Sequence, residues 1–487
     1  MSLVPGAIDT GAGNGTSVRF MGRGGDDSNF RVDGVDATSV RNQTQSKSRL
    51  LISMDAISEF KVSSALYSAE SGGAPGGHIN MLTKRGGNQF HGTLWEFNRN
   101  DALTQTYDAI GGTSLPSPRL NRNQFGANIS GPVTLPKVYK GTDKTFFFFN
   151  WERGRNSQGA VAGYRTVPTQ EFRDGNFSKL TNPRTGVPIV LRDPQNVPIA
   201  NNIIPKSAIS PQAATFIGFT PLPNTSNGTL NYINNPVSAL SKQDNYNDRI
   251  DHQFSPKDSI FGRFVFNDTF EAGVPYWGND QRDNLGRTKN LSLGYTRTVS
   301  ASIVNDLRGG YHNFYENETF GTTGLSSFDV ANKMNLPLVS KDPKFFGPPV
   351  VNISGNDGGF SVFGLQRTIG PRERSNGITQ FVDNLSWQKG KHFMKFGADI
   401  ARRLVTFNQA RDPRGQFTFD GTYTGSSMAD FMLGYVRSAS LNPAVTVTDL
   451  TNYWQSYYFN DDFKVSQHLT LNFGVRYDYF GKMVQKD

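Results

Sequence analysis

The sequence predicts a mainly β protein, an antiparallel transmembrane β-barrel. Three observations carry that expectation. Strand-like stretches alternate polar and apolar residues. The connections between them are short and long in turn. No stretch of about 18 apolar residues exists that would make a membrane-crossing helix. The alternation is clearest in 470–480, where Leu471, Phe473, Val475, Tyr477 and Tyr479 interleave with Thr470, Asn472, Gly474, Arg476 and Asp478. A period of two sends the two sets to opposite faces of a strand. In a barrel that crosses a bilayer, the apolar face meets lipid and the polar face meets a wet lumen.

Residues 1–87 are rich in Gly, Ser and Asp, with short strand candidates at 29–32, 57–62 and 78–83. From residue 88 the segments lengthen. Strands are predicted at 88–98, 121–131, 143–153, 244–254, 258–269, 288–299, 302–316, 374–388, 391–408, 453–464 and 468–480. Ser255-Pro256-Lys257, Val299-Ser300-Ala301, Lys389-Gly390 and Val465-Ser466-Gln467 read as tight hairpin turns. The connections 99–120, 154–243, 270–287, 317–373 and 409–452 are long, and 132–142 is a medium-length member of the short series. Long loops gathered at one end suit an outer-membrane barrel, and loops of this length are unusual in a compact soluble domain.

Other strands repeat the pattern. Asn245, Asn247, Arg249, Asp251 and Gln253 oppose Tyr246, Ile250 and Phe254. Met394, Phe396, Ala398 and Ile400 oppose Lys395, Gly397 and Asp399, and Phe125, Ala127 and Ile129 oppose Gln124, Gly126 and Asn128. Asp248 falls on an apolar face, and Phe146 and Phe148 fall on a polar one. An Asp facing lipid costs less than the about 2–4 kcal/mol of a mid-bilayer Lys or Arg, so one near a strand end is tolerable.

Composition narrows the classes. Aromatics make up 12% of 487 residues, with 37 Phe and 17 Tyr, which suits aromatic girdles and rules out a disordered chain. The absence of cysteine excludes disulfides and thiolate metal sites. The net charge is +9, but Lys and Arg are scattered, so no nucleic-acid partner is expected. Residues 1–15 lack the charged-then-apolar layout of an export signal.

Several motifs together resemble TonB-dependent outer-membrane receptors of the Oar-like subgroup. They include Val32-Asp33-Gly34-Val35-Asp36, Asp55-Ala56-Ile57-Ser58-Glu59-Phe60-Lys61-Val62, Tyr67-Ser68-Ala69-Glu70 and Gly76-Gly77-His78-Ile79-Asn80-Met81-Leu82-Thr83-Lys84. Further on come Asn88-Gln89-Phe90-His91-Gly92, Arg122-Asn123-Gln124-Phe125-Gly126, Asn202-Ile203-Ile204-Pro205 and Arg249-Ile250-Asp251-His252-Gln253-Phe254. The resemblance spans nearly the whole chain. It implies a barrel of 22 strands around a small α/β plug, a ligand bound on the outer face, and energy from an inner-membrane complex through TonB. Residues 1–28 match neither the TonB-contacting segment nor the immunoglobulin-like domain that usually precedes the plug. The eleven predicted strands are half the family number, and the sequence stops at Gln485-Lys486-Asp487 without the terminal aromatic expected of a final barrel strand. A fragment is therefore expected, with 1–87 the C-terminal part of a plug and 88–487 the N-terminal half of a barrel. Open sheet edges in lipid would leave unpaired backbone groups, so this stretch alone is not expected to insert stably.

No catalytic, cofactor-binding or metal-ligating set emerges, and no enzyme is expected. The six His residues are dispersed, and no Gly-x-Ser-x-Gly elbow occurs. Gly11-Ala12-Gly13-Asn14-Gly15 follows no strand and opens no helix, so it reads as a flexible plug segment and not as a dinucleotide loop. Asn356-Asp357-Gly358-Gly359 reads as a turn in preference to a calcium loop. Asp26-Asp27 and Asp33 with Asp36 read as turn formers, and Gly34 marks a tight turn. Asp33, Gly34, Asp36, Glu59, Gly76 and Gly77 are the expected structural motif of the plug, and Gly72, Gly73, Gly76 and Gly77 suit close packing against the barrel. Arg249, Asp251, Asp399, Arg476 and Asp478 are the lumen-facing candidates, expected to pair with each other or with the plug. Residues 428–434 read as a short amphipathic helix that packs its loop down. The expected partners are outer-membrane lipid, the TonB complex through a segment not in this chain, and an extracellular ligand presented to the loops. The leading expectation is energised uptake of a bulky glycan, peptide or metal chelate. A surface receptor or adhesin without transport, and a secreted β-rich glycan-binding protein, are the alternatives.

Overall fold

The computed structural model describes residues 7–9, 18–20, 28–41, 45–48, 50–63, 68–74, 76–103, 119–159, 163–225, 230–234, 239–272, 280–324, 329–360, 369–442 and 445–485. Four short strands near the start form a small sheet: β1 (Asn29–Val32), β2 (Val35–Asp36), β3 (Ile57–Ser63) and β4 (His78–Thr83), in the order β2-β1-β4-β3. β1 and β4 run parallel, and the other two pairs are antiparallel. The β1–β2 turn is a two-residue hairpin. Asp33 has φ 47° and Gly34 φ 82°, the left-handed pair that an Asp-Gly step adopts readily.

Among the described residues, eleven long strands form one antiparallel sheet. They are β5 (His91–Asn100), β6 (Leu120–Pro132), β7 (Thr145–Gln158), β8 (Ala239–Ser255), β9 (Asp258–Ala272), β10 (Asp280–Ser300), β11 (Ile303–Gly324), β13 (Ile369–Lys389), β14 (His392–Arg411), β17 (Val445–Lys464) and β18 (Thr470–Phe480). Each pairs with the next in this series. A two-residue segment, Val484–Gln485, adds a twelfth member by pairing with β17. All eleven predicted strands are present, but most run further than the alternation indicated. β11 extends to Gly324, β10 begins at Asp280 and β17 begins at Val445. The added residues lie at the long-loop end. About 9–11 residues cross a bilayer, so beyond that height a strand loses its lipid-facing stripe while its ladder continues. The predicted loop 270–287 therefore shrinks to the few residues between Ala272 and Asp280. Of the predicted loop 99–120, residues 104–118 lie outside the described residues, as do Gly11 to Gly15 and Asp26-Asp27.

The alternation sorts the two faces. Ile250, Leu293, Leu307, Phe381 and Val475 stand exposed on the outer face, while Asn245, Asn247, Asn267, Asn290 and Ser292 are buried on the inner one. Phe148 is also buried on the inner face. Asp248 faces outward between Phe149 and Phe264 in register, and is half-buried. The strand runs from 239 to 255, so Asp248 lies near its middle and not near an end.

The large sheet curls around the small one. The N-terminal segment bonds to Glu152 on β7, Arg249 on β8, Asn267 on β9, Arg308 on β11, Asp399 on β14, Asn460 on β17 and Arg476 on β18. In a flat sheet, eight spacings of about 4.8 Å would put β7 and β18 roughly 38 Å apart. The small sheet and the segments flanking it, through Ser53 and Ala69, touch both because the wall bends around them.

The three longest loops fold together. Val167, Phe177, Leu191 and Ile204 from the first, Met334, Val351 and Ile353 from the second, and Phe419, Met428, Phe431 and Met432 from the third share one hydrophobic core. Within it, β12 (Val350–Ile353) pairs parallel with β15 (Gln416–Phe419), which pairs with β16 (Ser438–Ser440). Four short helices complete the unit: α1 (Gln170–Arg173), α2 (Pro211–Ile217), α3 (Val330–Lys333) and α4 (Ser427–Leu433). The helix predicted as amphipathic is α4, and it is not: Ser427, Met428, Ala429, Asp430, Phe431 and Met432 are all buried. Asp357 accepts from the Ser426 and Ser427 hydroxyls at 2.7 Å each and from the Met428 N–H at 3.2 Å, so it fixes the start of α4.

Candidate functional site

The contact between the two sheets is built of ionised groups. The turn that ends β1 presents Asp33 to the wall. Its carboxylate accepts from the Thr83 N–H at 3.0 Å, the Thr83 hydroxyl at 2.9 Å and Arg249 Nη1 at 3.2 Å. Arg263 Nε lies 2.8 Å from Asp33 Oδ2. Arg249 and Arg263 stand directly opposite each other on β8 and β9. Like charges in that position repel unless an anion sits between them, and Asp33, with Asp251 bound to Arg249 at 2.8 Å, supplies that anion. The Asp33 carbonyl accepts from Arg308 Nη1 at 3.0 Å. Gly34 permits this approach, since a Cβ there would fall 1.9 Å from Arg308 Nη1.

Two further residues reach the other side of the curve. Asp36 donates its N–H to Gln380 Oε1 at 2.8 Å and accepts from Arg403 Nη2 at 2.6 Å. The Arg403 guanidinium stacks 3.5 Å from the Trp454 ring. Arg31 donates to Asp399 at 2.7 Å, and Gln380 donates to the other oxygen of Asp399 at 2.6 Å. At the far edge, Arg476 pairs with Asp478 at 2.9 Å and donates to the Ala69 carbonyl at 3.2 Å. Gly72 makes room for it: an added Cβ would lie 1.9 Å from Arg476 Nε. Lys395 pairs with Glu70 at 2.8 Å.

All five lumen-facing candidates take part in ion pairs; Arg249 and Asp399 pair directly with the N-terminal segment, and Arg476 donates a hydrogen bond to it. Asp33, Gly34 and Asp36 lie at the contact. Gly76 and Gly77 are buried on the approach to β4, where Gly77 packs against the Phe20 ring. Glu59 is exposed on β3, the outer strand of the small sheet, away from the ionic contact. Sequence reasoning missed Arg31, Arg263, Arg308, Gln380 and Arg403. A parity signal existed for the wall residues: Arg403 lies four places from Asp399 on one strand, hence on the same face. What parity does not give is the partner across the lumen. Near this contact, burial and the Arg31 charge push the His78 imidazole down to about 4. Among the described residues, no group of three or more His, Cys, Asp or Glu is placed to hold a metal ion.

No curated protein matches the chain. Among solved structures, the outer membrane transporter YddB from Escherichia coli superposes with a TM-score of 0.55 at 10% identity, over 96% of this chain and 51% of that one. The pyoverdine outer membrane receptor FpvA from Pseudomonas aeruginosa PAO1 gives 0.48 at 10% identity over 94% and 50%. The siderophore receptor PirA from Pseudomonas aeruginosa gives 0.46 at 11% identity over 98% and 51%. The chain spans about half the length of these structures, and the first likeness is one of fold. A model of the outer membrane beta barrel domain matches residues 82–487. With a wall apolar outside and polar inside, this chain belongs to the outer membrane β-barrel domain family and resides in the outer membrane.

Proposed function

We propose that this chain is part of a TonB-dependent receptor of the Oar-like type, which takes up a bulky extracellular ligand at the expense of energy delivered through TonB. In this reading 1–87 contribute part of the plug and 88–487 about half of the barrel wall. The half-length match to solved structures supports that division. One observation carries the reading. The contact between the small sheet and the wall is ionic, and its apolar share is slight: around Val32, Ala37 and Leu50 the wall contributes Val265 to the core. Removing one partner of a buried pair costs about 3–5 kcal/mol, so the small sheet stays seated without a driving force. Once it is pulled, water can solvate the separated charges, and little apolar surface is exposed. A held but reversible closure is what energised transport needs.

The test uses a removable lock. Val35 packs on Gly310, where an added Cβ would lie 3.0 Å from the Val35 Cβ. The chain has no cysteine, so Val35→Cys with Gly310→Cys introduces a single disulfide once the two backbones part by about 0.5 Å, to the Cβ separation a disulfide takes. Cells expressing the protein are offered labelled ferric chelates, oligosaccharides and peptides, with and without a protonophore. One of the three is expected to accumulate in energised cells only, and only when the disulfide is reduced. Accumulation indifferent to both lock and protonophore overturns the reading. Binding without accumulation would favour the alternative, a surface receptor or adhesin, for which the shared core of the three loops supplies a rigid platform.

A further inference from the structure

Towards the long-loop end from the ionic contact, the inner face of β6 to β11 encloses a cavity of about 460 Å³, within the range that small-molecule sites occupy. One cross-strand row builds it: Gln124, Gly154, Gln243, Thr269, Gly286 and Glu316 lie opposite one another in register across six strands. Gly154 hollows the row, and Gly286 leaves room for the Thr269 hydroxyl, which an added Cβ would meet. A Cβ on Gly154 would find only the Gln243 Cβ within 4 Å, at 3.7 Å. The next row outward adds Arg122, Glu271 and Asn284, and the row below adds Glu152. The floor is Leu51 of the N-terminal segment. Its backbone N–H and C=O are both bound by the Asn267 side chain, at 2.9 and 2.7 Å.

The lining states a preference. Of the inward side chains, Arg122 is the cation and Glu152, Glu271 and Glu316 are acids; Arg155 and Lys242 also border the cavity, but from strand positions of outward parity. Glu316 lies 3.5 Å from Arg374 and accepts from Asn284 at 3.3 Å, while Glu152 accepts from Ser53 at 2.9 Å. A polyanionic chelate would meet carboxylates here. A hydroxyl both donates and accepts, and so matches the amides of Gln124, Gln243 and Asn284, the Thr269 hydroxyl and the Glu271 carboxylate. Exposed Leu51 offers the apolar floor that the C–H face of a sugar ring covers. We propose that this cavity binds a neutral, hydroxyl-rich oligosaccharide segment, resting on Leu51. The inference rests on the uptake reading above and names the ligand class for it.

Titration calorimetry of the detergent-extracted protein tests it. The probes are neutral oligosaccharides from dextran and from xylan, with trilysine and ferric tris-catecholate as charged controls. Gly154→Leu puts a side chain into the cavity at a position where its Cβ meets only the Gln243 Cβ, at 3.7 Å, and Lys289→Gln changes an exposed residue on the outer face. Heat-modifiable gel mobility checks that both variants are folded. An oligosaccharide should bind, at least tenfold more weakly to Gly154→Leu and unchanged to Lys289→Gln. No oligosaccharide binding, or binding that Gly154→Leu leaves intact, overturns the assignment. Energised uptake of the ferric chelate without oligosaccharide binding would sink the ligand class and leave the transport reading standing. Oligosaccharide binding without energised uptake would do the reverse.

Discussion

Asp33 has a φ of 47°, a region that non-glycine residues seldom occupy, and it lies where Thr83, Arg249 and Arg263 converge. Asp33→Ala leaves two guanidiniums facing each other in register without their shared anion. The expected loss is about 3–5 kcal/mol, read from urea titration in detergent, together with faster proteolysis of 28–87 than of the wall. A variant as resistant as the parent would show that the contact does not hold the small sheet. His78 gives the same interface a pH dependence. Its folded pKa is depressed to about 4 from 6.5, by burial first and the Arg31 charge second. The stability it contributes is therefore complete above pH 6.5 and lost as pH falls towards 4. The loss reaches up to about 3 kcal/mol over that window. Replacing it in His78→Gln should flatten the pH profile of urea unfolding between those limits.

At the scale of elements, strand length and loop folding belong together. β11 has 22 residues, about twice what a bilayer needs, so its outer half stands in water with its neighbours and carries the loops clear of the membrane. The loops then pack on each other. Phe431 lies 5.9 Å from Phe216 and 5.2 Å from Phe419, ring to ring, and so joins the first and third loops. Phe431→Ala should cost this unit about 3–5 kcal/mol. Limited proteolysis is expected to cut 163–225 and 416–442 first, with the wall still heat-modifiable on gels. Asp357 and α4 make the same point. A turn and a helix 70 residues apart are read separately in the sequence, yet the turn caps the helix.

For the whole molecule, the deciding surface is the outside of the wall. Leu293 is 50% exposed there, seven residues from the short-turn end of β10, which puts it near the bilayer midplane. Leu293→Arg should destabilise the inserted full-length receptor by about 2–4 kcal/mol, measured as its reduced folding yield into lipid vesicles. The same substitution at Leu285, on the same face of the strand but 15 residues from that end and beyond bilayer height, should change little. Equal effects at the two sites would argue against membrane depth as the cause.

Which strands exist, which face of each is greasy and which end carries the long loops were readable from residue order. Those properties follow from local periodicity and turn chemistry, and each needs only a few neighbours. Parity also placed Arg249, Asp251, Asp399, Arg476 and Asp478 on the inner face. The pairings of Asp33 with Arg263, of Asp36 with Arg403 and of Arg31 with Asp399 span more than 200 residues each. So does the core shared by the first and third loops. They arise only when the wall bends far enough to bring distant strands around one small sheet, and curvature is a sum over many strand pairings that no single segment encodes.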